Sequence, residues 1–138
     1  MSRSGYSDSD NYWGMIRWRG AVASSLKGAR GQSFLRELRD AMDAMPTKQL
    51  IRGELEADGC MCALGVVGAA RGLDMSRLDT YDREGVANAF GIADAMAAEV
   101  MFMNDEGVDA ETDADRWQQM RLWVEEQIIA EINQERTV

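Results

Sequence analysis

Apolar positions recur at helical spacing over most of the chain, and they predict a succession of helices. Ser9 or Asp10 caps a first helix to about Lys27, with Tyr12, Met15, Ile16, Val22, Ala23 and Leu26 on its inner stripe. After a break at Gly28 and Gly31, Leu35, Leu38, Met42 and Met45 mark a second helix, about Gln32 to Met45. Pro46, the only proline, ends it, because the residue before a proline disfavours helix. Between Lys48 and Cys62 the period is lost, and Asp58-Gly59 is a turn signal. A short helical turn and a small two-stranded hairpin are both open there.

A glycine-spaced helix follows from Ala63 to Arg71, closed by Gly72, and Ser76 to Thr80 is loop or a helical turn. Asp82 starts a helix to Phe90, Gly91 breaks it, and another runs from Ala93 to about Asn104. Thr112 and Asp115 have capping-box spacing ahead of a last helix, Asp113 to about Asn133. Its stripe is Trp117, Met120, Val124 and Ile128, widened by Leu122, Ile129 and Ile132. The predicted fold class is all-α: a compact bundle of about six helices, with the one minor hairpin placed near residues 50–62. Residues 1–8 read as a disordered tail and 9–138 as a single globular helical domain.

Composition then narrows the function. The chain has no histidine, which removes the default general base and the commonest transition-metal ligand. The expectation is a protein that is not an enzyme and carries no cofactor and no metal. The longest apolar run, Cys60 to Ala70, falls well short of a ~20-residue membrane span. The opening MSRSGYSDSD has no hydrophobic core of a secretory signal, so the expected location is the cytoplasm, with no membrane partner. Net charge is −9 and unevenly divided. Residues 1–52 hold nine Lys/Arg against five Asp/Glu, and residues 53–138 hold six against nineteen. Such asymmetry points to a partner-binding face or to attraction between the halves.

Several segments resemble chemistry, and each has a plainer reading. Cys60 and Cys62 are too few for a zinc or iron–sulfur site and too close for a relaxed disulfide. Cys62 enters the Ala63 helix and is expected to be buried packing, with Cys60 the more accessible thiol. Gly65, Gly68 and Gly72 match no phosphate-loop pattern and read as a strip for close helix approach. Residues 86–100 fit a helix-turn-helix template, with Val86, Ala87, Phe90, Ile92, Ala97 and Val100 inside. The positions left outside, Ala93, Asp94, Ala95, Ala98 and Glu99, include nothing that holds DNA.

The carboxylates Asp105, Glu106, Asp109, Glu111, Asp113 and Asp115 lack the alternation of a calcium loop. They read as a solvated interhelical loop and as a candidate partner-binding surface. Arg17, Arg19, Lys27, Arg30 and Arg36, with Trp13 and Trp18 in the same segment and no acid between Asn11 and Arg36, are the alternative: a nucleic-acid face. Pairing of these cations with the acidic half competes with that reading.

Four segments carry a family likeness: IRWRGAVAS from Ile16 to Ser24; CALG from Cys62 to Gly65, running on to ARG at 70–72; MNDE from Met103 to Glu106; and Arg116-Trp117 with Met120, Arg121 and Trp123. On these the chain resembles a family of small uncharacterised proteins of tailed bacteriophages and prophages of proteobacteria, over about residues 5 to 130. The position of Cys60 is usually polar in that family, so a paired-thiol function is not implied. The family has no established catalytic residues to carry over. The resemblance implies a phage accessory context and no mechanism. The acidic second part of the chain and the lack of a catalytic set make a host or phage protein in the host cytoplasm the expected partner.

Overall fold

The computed structural model describes residues 3–5 and 12–129, with side chains placed for 3–5 and 17–129. The fold is all-α with one small antiparallel hairpin. Its helices are α1 (Tyr12–Lys27), α2 (Ala29–Asp43), α3 (Ala63–Arg71), α4 (Arg83–Phe90), α5 (Asp94–Phe102) and α6 (Asp113–Gln127). The hairpin joins β1 (Glu56–Ala57) to β2 (Cys60–Met61), pairing Glu56 with Met61 and Ala57 with Cys60. Asp58 and Gly59 have φ of 53° and 80°, the left-handed pair that a tight two-residue turn requires. That settles the open stretch before Cys62 in favour of the hairpin.

Helix α2 packs on α3 and α6, and α5 packs against α1, α3 and α4. Leu35, Leu38 and Met42 are fully buried, at the predicted spacing along α2. Phe34 adds an edge-to-face contact with Phe90, with ring centroids 6.5 Å apart. Gly91, at φ 70°, turns the chain between α4 and α5, which meet at 106°. The corner is present, with Val86, Ala87, Phe90, Ile92, Ala97 and Val100 buried.

Its second helix is not the exposed one that the helix-turn-helix template supposes. Every residue from Ala95 to Met101 is buried, including Ala98 and Glu99, because α1 lies over α5. In α1, Val22 and Leu26 are buried but Ala23 is exposed; Tyr12, Met15 and Ile16 lie outside the described side chains. Among the described residues, no single helix is long and apolar enough to cross a membrane.

The last helix is shorter than its periodicity predicts. It stops at Gln127, and Ile128 is extended with ψ 123°, while Ile132 and Asn133 lie outside the described residues. The buried side chain of Gln32 holds this end in place. Its Nε2 donates to Leu26 O at 2.7 Å and Gln127 O at 2.9 Å, and its Oε1 accepts from Ile129 N at 2.8 Å. Replacing Gln32 with alanine leaves these backbone groups without their partner. The expected cost is about 1–3 kcal/mol, read as a lower urea midpoint. Leu122, predicted to widen the α6 stripe, is instead 61% exposed.

Candidate functional site

The polar centre of the molecule is built on Asn104, in a π turn (Met103–Gly107) that continues α5. Asn104 is fully buried, so each of its polar atoms needs a partner. Its Oδ1 accepts from Ala63 N at 3.0 Å, the first amide of α3. This contact does what a capping side chain would do, since the N-cap residue Cys62 supplies no side-chain cap. Asn104 Nδ2 donates to Ile51 O at 2.9 Å and to Asp105 Oδ1 at 2.8 Å. Its carbonyl accepts from Arg116 Nη1, which brings in α6. One asparagine therefore ties together the segment before the hairpin, α3 and α6.

Asp105 sits beside it and accepts a two-pronged contact from Arg3. Arg3 Nε donates to Oδ2 at 2.6 Å and Nη2 to Oδ1 at 2.8 Å, with side-chain exposures of 2% for Arg3 and 11% for Asp105. Gly53 N donates to Oδ1 at 3.0 Å. The remaining guanidinium nitrogen, Nη1, reaches Thr80 Oγ1 at 3.0 Å and Cys62 Sγ at 3.6 Å. Burial alone pushes the Asp105 carboxyl upward. The hydrogen bonds and charge of Arg3, with Asn104 and Gly53, more than offset this and hold it below the usual carboxylate range. The chemistry of this cluster is charge-assisted recognition of a planar cation by a carboxylate.

This arrangement departs from two expectations. Asp105 does not belong to a solvated loop surface; it is an internal ion-pair partner. Arg3 and Ser4, within the stretch read as a disordered tail, are buried against the body of the protein, while residues 1–2 and 6–8 lie outside the described residues. Of the other loop carboxylates, Glu106, Asp109, Glu111 and Asp113 are exposed and Asp115 is half-buried. Thr112 Oγ1 accepts from Asp115 N at 3.1 Å, the predicted cap of α6. Among the described residues, no group of three or more cysteines and carboxylates is placed to hold a metal ion.

Cys60 is exposed and Cys62 buried, both as free thiols. The glycines of α3 do not face a second helix as one strip. A β-carbon on Gly65 would meet the hairpin's Leu55 O at 1.9 Å, and one on Gly68 would meet Met75 Sδ at 2.7 Å. Gly72, at φ 75°, is the left-handed helix cap.

The cations of α1 and α2 divide. Arg19 pairs with Glu99 at 3.5 Å, and Arg36 Nη2 donates to Ile129 O at 3.2 Å. Arg17, Lys27 and Arg30 are exposed, and no ion pair joins them to a described residue. The side chain of Trp13 lies outside the described residues. Trp18 is half-buried beneath Arg83, whose guanidinium carbon stands 5.1 Å from the ring centroid.

Sequence reasoning missed Arg3, Thr80, Asn104 and Arg116 as members of one centre. Cys62 and Ala63, Asn104 with Asp105, and Arg116 reach it from segments far apart in the chain, so no short window holds the set. No protein-family model, curated protein or solved structure matches the chain.

Proposed function

We propose that the protein is a phage-encoded accessory protein that acts by binding rather than catalysis. Its partner in this reading is a host factor with a basic, nucleic-acid-handling surface, met in the host cytoplasm. The observation that carries the reading is a set of seven exposed carboxylates on two adjoining segments. Glu54, Glu56 and Asp58 lie on the hairpin segment, and Glu106, Asp109, Glu111 and Asp113 on the stretch from the π turn to the first residue of α6. None of them forms an ion pair with a described residue. The segments are joined by the Gly53 N to Asp105 bond and by Leu50 N donating to Asp113 O at 3.0 Å. Exposed carboxylates on a folded support imitate the charge of a nucleic-acid backbone and steer a basic partner.

Affinity capture from a host lysate, with the protein and a Glu106→Lys/Asp109→Lys/Glu111→Lys/Asp113→Lys variant, tests it. The expected result is a basic partner retained by the first, lost by the second and released at about 0.5 M salt. A partner held equally by both proteins, or untouched by salt, overturns the carboxylate reading.

The exposed Arg17, Lys27 and Arg30 support a second reading, a nucleic-acid-associated phage protein. In that case, gel shift at low salt shows single- or double-stranded DNA or RNA bound at about micromolar protein, with the affinity falling as salt rises. No shift under these conditions removes it.

A further inference from the structure

Arg3 is bound the way a ligand is bound. Its guanidinium makes four contacts from three sides: two to Asp105, one to Thr80 Oγ1 and one to Cys62 Sγ. What receives it is held by other parts of the fold. Asp105 Oδ1 is already fixed by Gly53 N and Asn104 Nδ2, and Asn104 is itself fixed by Ala63 N and Ile51 O. The next contact along the segment has the same character. Ser4 O accepts from Arg83 Nη1 at 2.5 Å, and Arg83 is anchored separately on Asp94 through bonds of 2.6 and 2.9 Å. These two contacts of the Arg3–Gly5 segment are therefore made to groups oriented without it.

We propose that Asp105, Thr80 and Cys62 form a guanidinium-binding site in its own right, and that Arg3 is its tethered, replaceable ligand. The ligand class is an arginine side chain. A carboxylate aligned edge-on with a hydroxyl and a sulfur beyond it matches a planar fork of donors; a compact ammonium satisfies one side only. The burial of the site adds to this preference, because guanidinium is more weakly hydrated than ammonium. An arginine offered by another polypeptide fits the same receptor once Arg3 is withdrawn. The inference does not rest on the outer carboxylates binding a partner, and its test uses the isolated protein.

The experiment is chemical rescue of Arg3→Ala in a Cys60→Ser background, so that Cys62 is the one thiol present. The thermal midpoint falls by about 10 °C on removal of Arg3. Ethylguanidinium, which replaces the atoms removed, recovers about 3–5 °C at about 50 mM, a concentration too low to denature. n-Butylammonium recovers nothing, and adding Asp105→Asn abolishes the rescue. In parallel, Cys62 reacts with a thiol reagent about tenfold faster in Arg3→Ala, and ethylguanidinium slows it again. Should Arg3→Ala not fold unaided, the gain of helical circular dichroism with ethylguanidinium reads the same binding. No rescue, equal rescue by the ammonium, or rescue that survives Asp105→Asn overturns the proposal.

Discussion

Replacing Asp105 with asparagine is expected to lower the unfolding free energy by about 3–5 kcal/mol. The magnitude follows from what remains after the change. Arg3 keeps its charge, and its side chain is 2% exposed. The facing group can no longer neutralise it. Urea denaturation reads the change as a lower midpoint at unchanged slope. The neighbouring Glu106→Gln serves as the control, since Glu106 is exposed and its replacement stays within about 0.5 kcal/mol.

The pH dependence has a definite sign. Burial opposes ionisation of Asp105, but Arg3 and the other donors hold its folded value below the unfolded one. Its contribution is therefore complete above the unfolded carboxylate value of about 3.9 and is lost as pH falls through the lower folded value. The gap between Asp105→Asn and the parent protein narrows in the same window. A gap below about 1 kcal/mol at neutral pH removes the buried ion pair as a stabilising element.

The second large effect comes from adding a single methyl group. Gly65 lies within helix α3, where alanine is intrinsically better by about 1 kcal/mol. Gly65→Ala nevertheless destabilises, by about 2–4 kcal/mol net. The new β-carbon would stand 1.9 Å from Leu55 O and 3.1 Å from Met61 Cβ. Leu55 O is also the acceptor for Cys62 N at 3.2 Å, so moving it away loosens the join between hairpin and helix. Gly20→Ala in α1 provides the opposite case, because no described atom lies within 4 Å of its added carbon. It stabilises by about 0.5–1 kcal/mol. Opposite signs for the same chemical change, measured by urea denaturation, separate close packing from helix propensity.

The elements were more legible in the sequence than their faces. Gly72 and Gly91 mark helix ends because a left-handed residue is a local requirement, readable from the residue type. The turn at Asp58-Gly59 is local in the same sense. Side-chain environment is not local. Ala95, Ala98 and Glu99 look like an outer face by template spacing, and they are buried because α1, from another part of the chain, covers them.

Between Asp105 and Asp115, six acids look alike to any short window. Only Arg3 and Gly53, 102 and 52 residues away, single out Asp105. Ser, Gly and Asp composition likewise describes residues 1–8 as a tail, and partners 59 to 102 residues away, Cys62, Thr80 and Asp105, receive Arg3. Partial burial of the cation set has the same origin: the carbonyl that receives Arg36 belongs to Ile129.

The distance between Arg3 and Asp105 along the chain also sets a schedule. Arg3 leaves the ribosome 102 residues before its carboxylate does, which at a synthesis rate of about 5–20 residues per second is a wait of about 5–20 s. By the last part of that interval α1 to α4 are outside, and the seat of Arg3 has Thr80 and Cys62 but not yet Asp105. The π turn that carries Asn104 and Asp105 arrives late and meets both the α3 amide and the guanidinium at once. The ion pair of Arg3 thus cannot close until synthesis has passed Asp105, and its capture reports that point.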